Sequence, residues 1–123
     1  EALEWARQRQ TFGAPLVSHQ VIRHKLMDMR MHIQATRAWL HDVVARFDAD
    51  PRDAATVADI CLLKNQATRA MQHCADAAVQ ILGGMGYMRG TKSERLYREV
   101  KVMMIGGGSE EVMKDLAARQ LNL

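Results

Sequence analysis

The chain has 123 residues, 48% hydrophobic and 25% charged, a globular composition suited to one domain with a buried core. Aromatics make up only 5% while Met supplies nine residues, and a core short of rings and rich in Met, Ala and Leu favours helices over strands. Seventeen cations interspersed with fourteen anions leave a net charge of +3, too little and too scattered for a nucleic-acid stripe, and no apolar run has membrane-spanning length.

The opening "EALEWARQRQ" starts inside a helical pattern with no cap before it. It reads as the last turns of a helix in a piece of a longer protein. Gly13 and Pro15 then signal a turn. Ser18 is the expected N-cap of a long amphipathic helix reaching about Asp48, with Ile22, Leu26, Met29, Ile33, Leu40 and Phe47 as its apolar stripe. Arg23, His24, Lys25 and Asp28 fall on the opposite face. Asp50–Pro51 is read as an N-cap followed by proline at the first helical position.

The next helix runs to about Leu82, with Val57, Ile60, Ala67, Met71, Cys74, Ala78 and Ile81 on one stripe. Lys64 interrupts that stripe, so its stem is expected to snorkel or its charge to pair with a buried acid. Cys61 and Cys74 stand on the same helix at a rise of about 20 Å, too far for a mutual disulfide, and two free thiols point to a reducing compartment. Gly83 and Gly84 stop the helix. Thr91 to Glu94 fits a capping box opening a short helix through about Lys101. Ser109 caps the last helix, with Glu110 and Glu111 in its first turn. No strand and no internal repeat is legible. The expected architecture is all-α, an up-down helical bundle with three substantial helices.

The glycine-rich loops invite comparison with phosphate-binding motifs. "GGMGYMRG" follows a helix, and its third glycine falls one place late for a dinucleotide fingerprint. "GGGSEE" lacks the Lys of a P-loop, and its two Glu would repel phosphate. On spacing alone both loops are turn-makers. His24, Asp28 and His32 share one helix side, but His24 and Asp28 lie opposite the apolar stripe with no partner ligands, so no metal site is expected. No Ser sits in a nucleophile-elbow setting and neither Cys has a His base beside it in sequence.

Three stretches together, "RQTFGAPLVSHQ" (residues 9–20), "AVQILGGMGY" (78–87) and "ERLYREVKVMMIGGGSEEV" (94–112), resemble the C-terminal domain of the FAD-dependent acyl-CoA dehydrogenases over essentially the whole chain. The resemblance implies a helical bundle that assembles as a homodimer or homotetramer and helps cover the FAD bound largely by a neighbouring subunit. Arg9 matches the family Arg that reaches the FAD pyrophosphate, a pairing suited to its charge and fork geometry. Thr11 and Phe12 belong to the same contact segment, and Gln20 matches a position near the nucleotide. Gln80, Ile81, Gly83 and Gly84 match the stretch against the adenosine part of the partner's cofactor, where glycine leaves no Cβ between backbone and ligand. Ser109 and Glu111 match polar positions close to the flavin.

The resemblance also implies where chemistry is missing. Gly107 stands where many members carry the Glu that removes the α proton, so no catalytic residue is expected in the chain. Isovaleryl-CoA and long-chain types have a small residue there and take their Glu from an earlier helix. The implied enzyme desaturates an acyl-CoA thioester between its α and β carbons and passes electrons to an electron-transfer flavoprotein or similar acceptor. Its implied compartment is bacterial cytoplasm or mitochondrial matrix. The N-terminal helical and middle β domains would lie outside this chain, and residues 1–123 alone are expected to be inactive. The alternative is a non-catalytic helical oligomerisation or interaction module on the same scaffold.

Overall fold

In the computed structural model, which describes residues 1–123, helix α3 (Ala54–Leu82) is the element on which the others pack. Thr56, Leu63, Ala70 and Ala77, seven residues apart in turn, are all buried, and Ala75, Ala78, Ile81 and Leu82 extend burial towards the C-terminal end. Small alanines allow neighbouring helices to approach closely on several sides. α3 is therefore buried on more than the one stripe expected, while Ile60 from that stripe is 38% exposed.

Helix α2 (Gln20–Ala49) runs antiparallel to α3. As the α3 partner advances from Asp59 to Gln66, His73 and Cys74, the α2 partner retreats from Arg46 to Thr36, His32 and Met29. Arg46 pairs with Asp42 on its own helix at 2.9 Å and joins the connected ends through Asp59 at 2.5 Å. The inward face of α2 differs from the expected stripe. Ile22, Leu26 and Met29 face the core, but beyond them His32, Thr36, Trp39, Val43 and Arg46 turn inward. Ile33, Leu40 and Phe47 remain 49%, 47% and 44% exposed.

The caps between these helices also differ. Residues 16–18 form a 3-10 turn and His19, not Ser18, precedes α2. Asp50 ends α2, and Asp53 caps α3 by accepting from the Thr56 amide at 2.8 Å and hydroxyl at 2.6 Å. The expected cap at Asp50 thus lies three residues early. Its Oδ1 accepts from the Arg52 amide at 2.9 Å, a local turn that holds the chain out of helix.

Helix α1 (Ala2–Gln8) buries Ala2 and Ala6 against Ile22, Ala78, Ile81 and Leu82. Between α1 and α2 runs an unexpected two-stranded antiparallel ribbon, β1 (Gln10–Thr11) and β2 (Ala14–Pro15). Phe12 and Gly13 at its tip have φ of 51° and 78°, the positive pair of a tight two-residue hairpin turn.

Gly83 ends α3 at φ 61°, as expected of a C-cap. Gly84 instead begins a four-residue helical turn, α4 (Gly84–Tyr87). Helix α5 (Lys92–Ile105) continues one turn past the expected end. Thr91 accepts from the Glu94 amide at 3.1 Å, but the Glu94 carboxylate pairs with Arg98, so only half of the capping box forms. The Glu1 carboxylate accepts from the Lys92 and Ser93 amides and the Ser93 hydroxyl at 3.1, 2.7 and 2.6 Å, tying α1 to the start of α5. Helix α6 (Glu110–Gln120) follows the glycine loop, with Ser109 as its N-cap. Both cysteines are free, and no helix is long and apolar enough to cross a membrane.

Candidate functional site

The C-terminal end of α1, the ribbon and the C-terminal end of α3 enclose a cleft of about 550 Å³. Arg9, Thr11, Gln80, Ile81, Gly83 and Gly84 all line it, although they come from stretches about 70 residues apart in sequence. Arg9 closes α1: its amide donates to the Trp5 carbonyl at 2.8 Å and its carbonyl accepts from the Leu16 amide at 2.7 Å. The backbone is thereby fixed while the guanidinium stays exposed. The Thr11 hydroxyl and His19 Nε2 are 3.0 Å apart, bracing the ribbon against the start of α2.

Two predicted residues, Phe12 and Gln20, are not among those lining the cleft. Phe12 is 99% exposed, with its ring edge-on to His19 at a centroid distance of 6.1 Å. Left-handed backbone costs a non-glycine residue about 1–2 kcal/mol, and here no ring burial offsets it. Gln20 is the exposed first residue of α2.

A Cβ added at Gly83 or Gly84 would meet nothing within 4 Å. Those positions offer bare backbone to open space. At Gly86 the reason for glycine is different, because a Cβ there would stand 2.5 Å from the Val79 carbonyl oxygen. Gly86 lets α4 fold back on α3, and that turn supports the lip of the cleft.

Ser109 and Glu111 lie elsewhere, at the start of α6. Their loop is tied to α3 at Lys64 and Asn65, about 25 Å along the helix from Ile81. The Lys64 ammonium donates to the Met104 carbonyl at 2.8 Å and the Gly108 carbonyl at 2.5 Å. It has no buried acid partner; main-chain carbonyls satisfy it. Asn65 Nδ2 donates to the Glu110 carbonyl at 2.9 Å, and Arg69 Nε to the Glu110 carboxylate at 3.0 Å. Lys64 was detectable as a cation in an apolar stripe, but Asn65, Arg69 and His19 carried no such signal.

The local charges bear on proton chemistry. Arg69 first, then Lys114, lowers the Glu110 pKa to about 2, which leaves it a poor base at neutral pH. The Glu111 pKa is also lowered, by its own backbone amide and then by the Ser109 hydroxyl. Gly107 is exposed at φ 71° and offers no titratable group. No group of three or more His, Cys, Asp or Glu is placed to hold a metal. His24 and Asp28 are exposed, while His32 packs on His73 with ring centroids 4.4 Å apart.

Residues 1–122 match the family model described as the acyl-CoA dehydrogenase C-terminal domain, and the chain belongs to that family of flavoenzyme domains. A probable acyl-CoA dehydrogenase of Bacillus subtilis is 38% identical over 98% of the chain and 31% of its own length. The mitochondrial isovaleryl-CoA dehydrogenase of rice is 35% identical over 98% of the chain and 29% of its own length. The crystal structure of a probable acyl-CoA dehydrogenase from Mycobacterium abscessus superposes with a TM-score of 0.90 at 41% identity, over 98% of the chain and 31% of that protein. The chain thus spans under a third of the relatives it matches.

Proposed function

We propose that the protein carrying this chain is an FAD-dependent acyl-CoA dehydrogenase that desaturates an acyl-CoA thioester between its α and β carbons. The observation that carries this reading is the cleft where Arg9, Thr11, Gln80, Ile81, Gly83 and Gly84 converge. Its features suit the nucleotide part of FAD. A fixed backbone presents an exposed guanidinium for phosphate, and two glycines leave bare main chain over open space. Phe12, next to Thr11 at the ribbon tip, and Gln20, at the start of α2, are assigned as further contacts to the cofactor by family resemblance.

Bound FAD supplies an acceptor for the hydride leaving the β carbon. The residues of this chain hold and orient it. Ser109 and Glu111 serve as polar contacts near a flavin, while Arg9 and the Gly83–Gly84 bend hold an adenine nucleotide. The 25 Å or so between these clusters supports assigning them to the FAD of two different subunits, in a homodimer or homotetramer. Gly107 and the low pKa of Glu110 support a catalytic base outside residues 1–123. Residues 1–123 alone are inactive on this reading. N-terminal helical and middle β domains complete the protein, with an electron-transfer flavoprotein or similar acceptor as redox partner in bacterial cytoplasm or mitochondrial matrix. Family membership favours this reading over a helical interaction module without redox chemistry.

FAD titration of the intact protein and its Arg9→Ala variant tests the site. A charge-assisted contact contributes about 1.5–3 kcal/mol, so FAD affinity should fall about tenfold or more. Unchanged affinity would reject the assignment of Arg9 to the pyrophosphate.

A further inference from the structure

The loop before α6 has a mechanical problem. Residues 106–108 are all glycine, and Gly107 and Gly108 have φ of 71° and 114°. Such a segment has no side chains to define its shape and loses more freedom on ordering than any other. Yet Ser109 and Glu111, which follow it, must be held still to make directed contacts.

The structure places that restraint on α3. Lys64 spans the loop, holding the carbonyl before it (Met104) and the carbonyl at its end (Gly108). Asn65 is 4% exposed and holds the next carbonyl but one, that of Glu110, while its Oδ1 is buried without a hydrogen-bond partner. We infer that Lys64 and Asn65 are positioning residues that set the loop and the start of α6 against the flavin, so that flavin electronics depend on two side chains that do not touch it. This deepens, and rests on, the reading of Ser109 and Glu111 as flavin contacts.

The alternative is that the pair merely stabilises the fold. A buried stabilising contact changes the unfolding midpoint but not the absorption of flavin in the folded fraction. A positioning contact changes both. Arg9 supplies an internal contrast, because a residue on the pyrophosphate alters affinity and leaves the isoalloxazine band alone.

The experiment uses the intact protein with FAD as probe, in wild-type, Lys64→Met, Asn65→Asp and Arg9→Ala forms. Visible absorption of bound flavin and the FAD dissociation constant are measured below each unfolding midpoint. Lys64→Met is expected to shift the flavin band and weaken FAD binding about tenfold, whereas Arg9→Ala weakens binding with the band in place. Asn65→Asp keeps the shape of the side chain, removes its amide donor, and shifts the band in the same way. It carries the test should Lys64→Met not fold. A lower midpoint with an unchanged band and dissociation constant in the folded variant would overturn the inference and leave the FAD reading standing. Wild-type protein that binds no FAD would overturn both.

Discussion

Gly86→Ala tests whether the lip of the cleft is built as described. Two effects oppose each other. Gly86 does not have positive φ, so alanine fits its backbone and, through the unfolded state, stabilises by about 0.4–1 kcal/mol. Against this, the new Cβ would stand 2.5 Å from the Val79 carbonyl oxygen, 2.9 Å from its Cα and 3.1 Å from Leu82 Cβ. The two nearest atoms are backbone, in the last turns of α3, so no rotamer change relieves the overlap. Forced overpacking costs about 1–3 kcal/mol, and the rigidity of these neighbours places this case at the upper end. The clash wins, with a net loss of about 2 kcal/mol. Gly84→Ala is the control: there a Cβ meets nothing within 4 Å, the φ is not positive, and only the stabilising effect remains. Urea unfolding reads both. With a denaturant slope of about 2 kcal/mol per molar, the Gly86→Ala midpoint falls by about 1 M while that of Gly84→Ala holds or rises. On the proposed FAD reading, affinity separates the pair again, because Gly84→Ala puts a methyl in the cleft of an intact fold. Equal midpoints for the two variants would refute the close approach of α4 to α3.

What was legible follows from the range of the forces involved. Gly83 as a helix end and Ser109 as a helix cap are local devices, readable from two or three residues, and both appear in the structure. The expected cap at Asp50 has a rival three residues on, whereas α2 begins after His19 with no side-chain cap hydrogen bond at all. Asp53 outcompetes Asp50 since only its carboxylate reaches the Thr56 amide. The phase of α2 was harder. Apolar residues occur on two adjacent faces, Trp39 and Val43 on one, Ile33, Leu40 and Phe47 on the other, so periodicity could not choose between them. α3 makes the choice: it offers Asp59 to Arg46 and His73 to His32, so polar α2 residues go inward with Val43 while Leu40 and Phe47 stay out. The ribbon was missed because strands of two residues have no period to read. Within the cleft, Arg9 and the glycines are singled out as a site only by family resemblance, and residue spacing alone reads the glycine loop as a turn. Lys64 was flagged correctly as anomalous, but its partners are carbonyls 40 and 44 residues away, which no local pattern encodes.

Other perturbations separate function from folding. Phe12→Gly removes left-handed strain and loses almost no burial, so the unfolding midpoint should hold or rise; a clear drop would show that the exposed ring supports the fold. On the proposed reading of Phe12 as a cofactor contact, FAD affinity of the same variant should fall. Cys74 carries a thiol whose pKa is raised by burial, so the native protein should react with a thiol reagent more slowly at Cys74 than in the Cys74-only unfolded chain, and no internal disulfide should form under mild oxidation. The acid limb of stability tests the Glu110 cluster. Its folded pKa, about 2, lies below the ordinary 4.5 because Arg69 and Lys114 favour the carboxylate. A carboxyl depressed in this way contributes its stabilisation fully above the unfolded value and loses it as pH falls through the folded one. Wild-type protein should therefore be more stable than Glu110→Gln at pH 7. That difference should begin to shrink below about pH 4.5 and be nearly gone by pH 2. Because the group lies near the surface, the pH 7 difference should also shrink in high salt. Urea midpoints of both proteins across that range decide the matter, and a difference of constant size from pH 7 to pH 2 would mean that Glu110 stabilises by packing and not by charge.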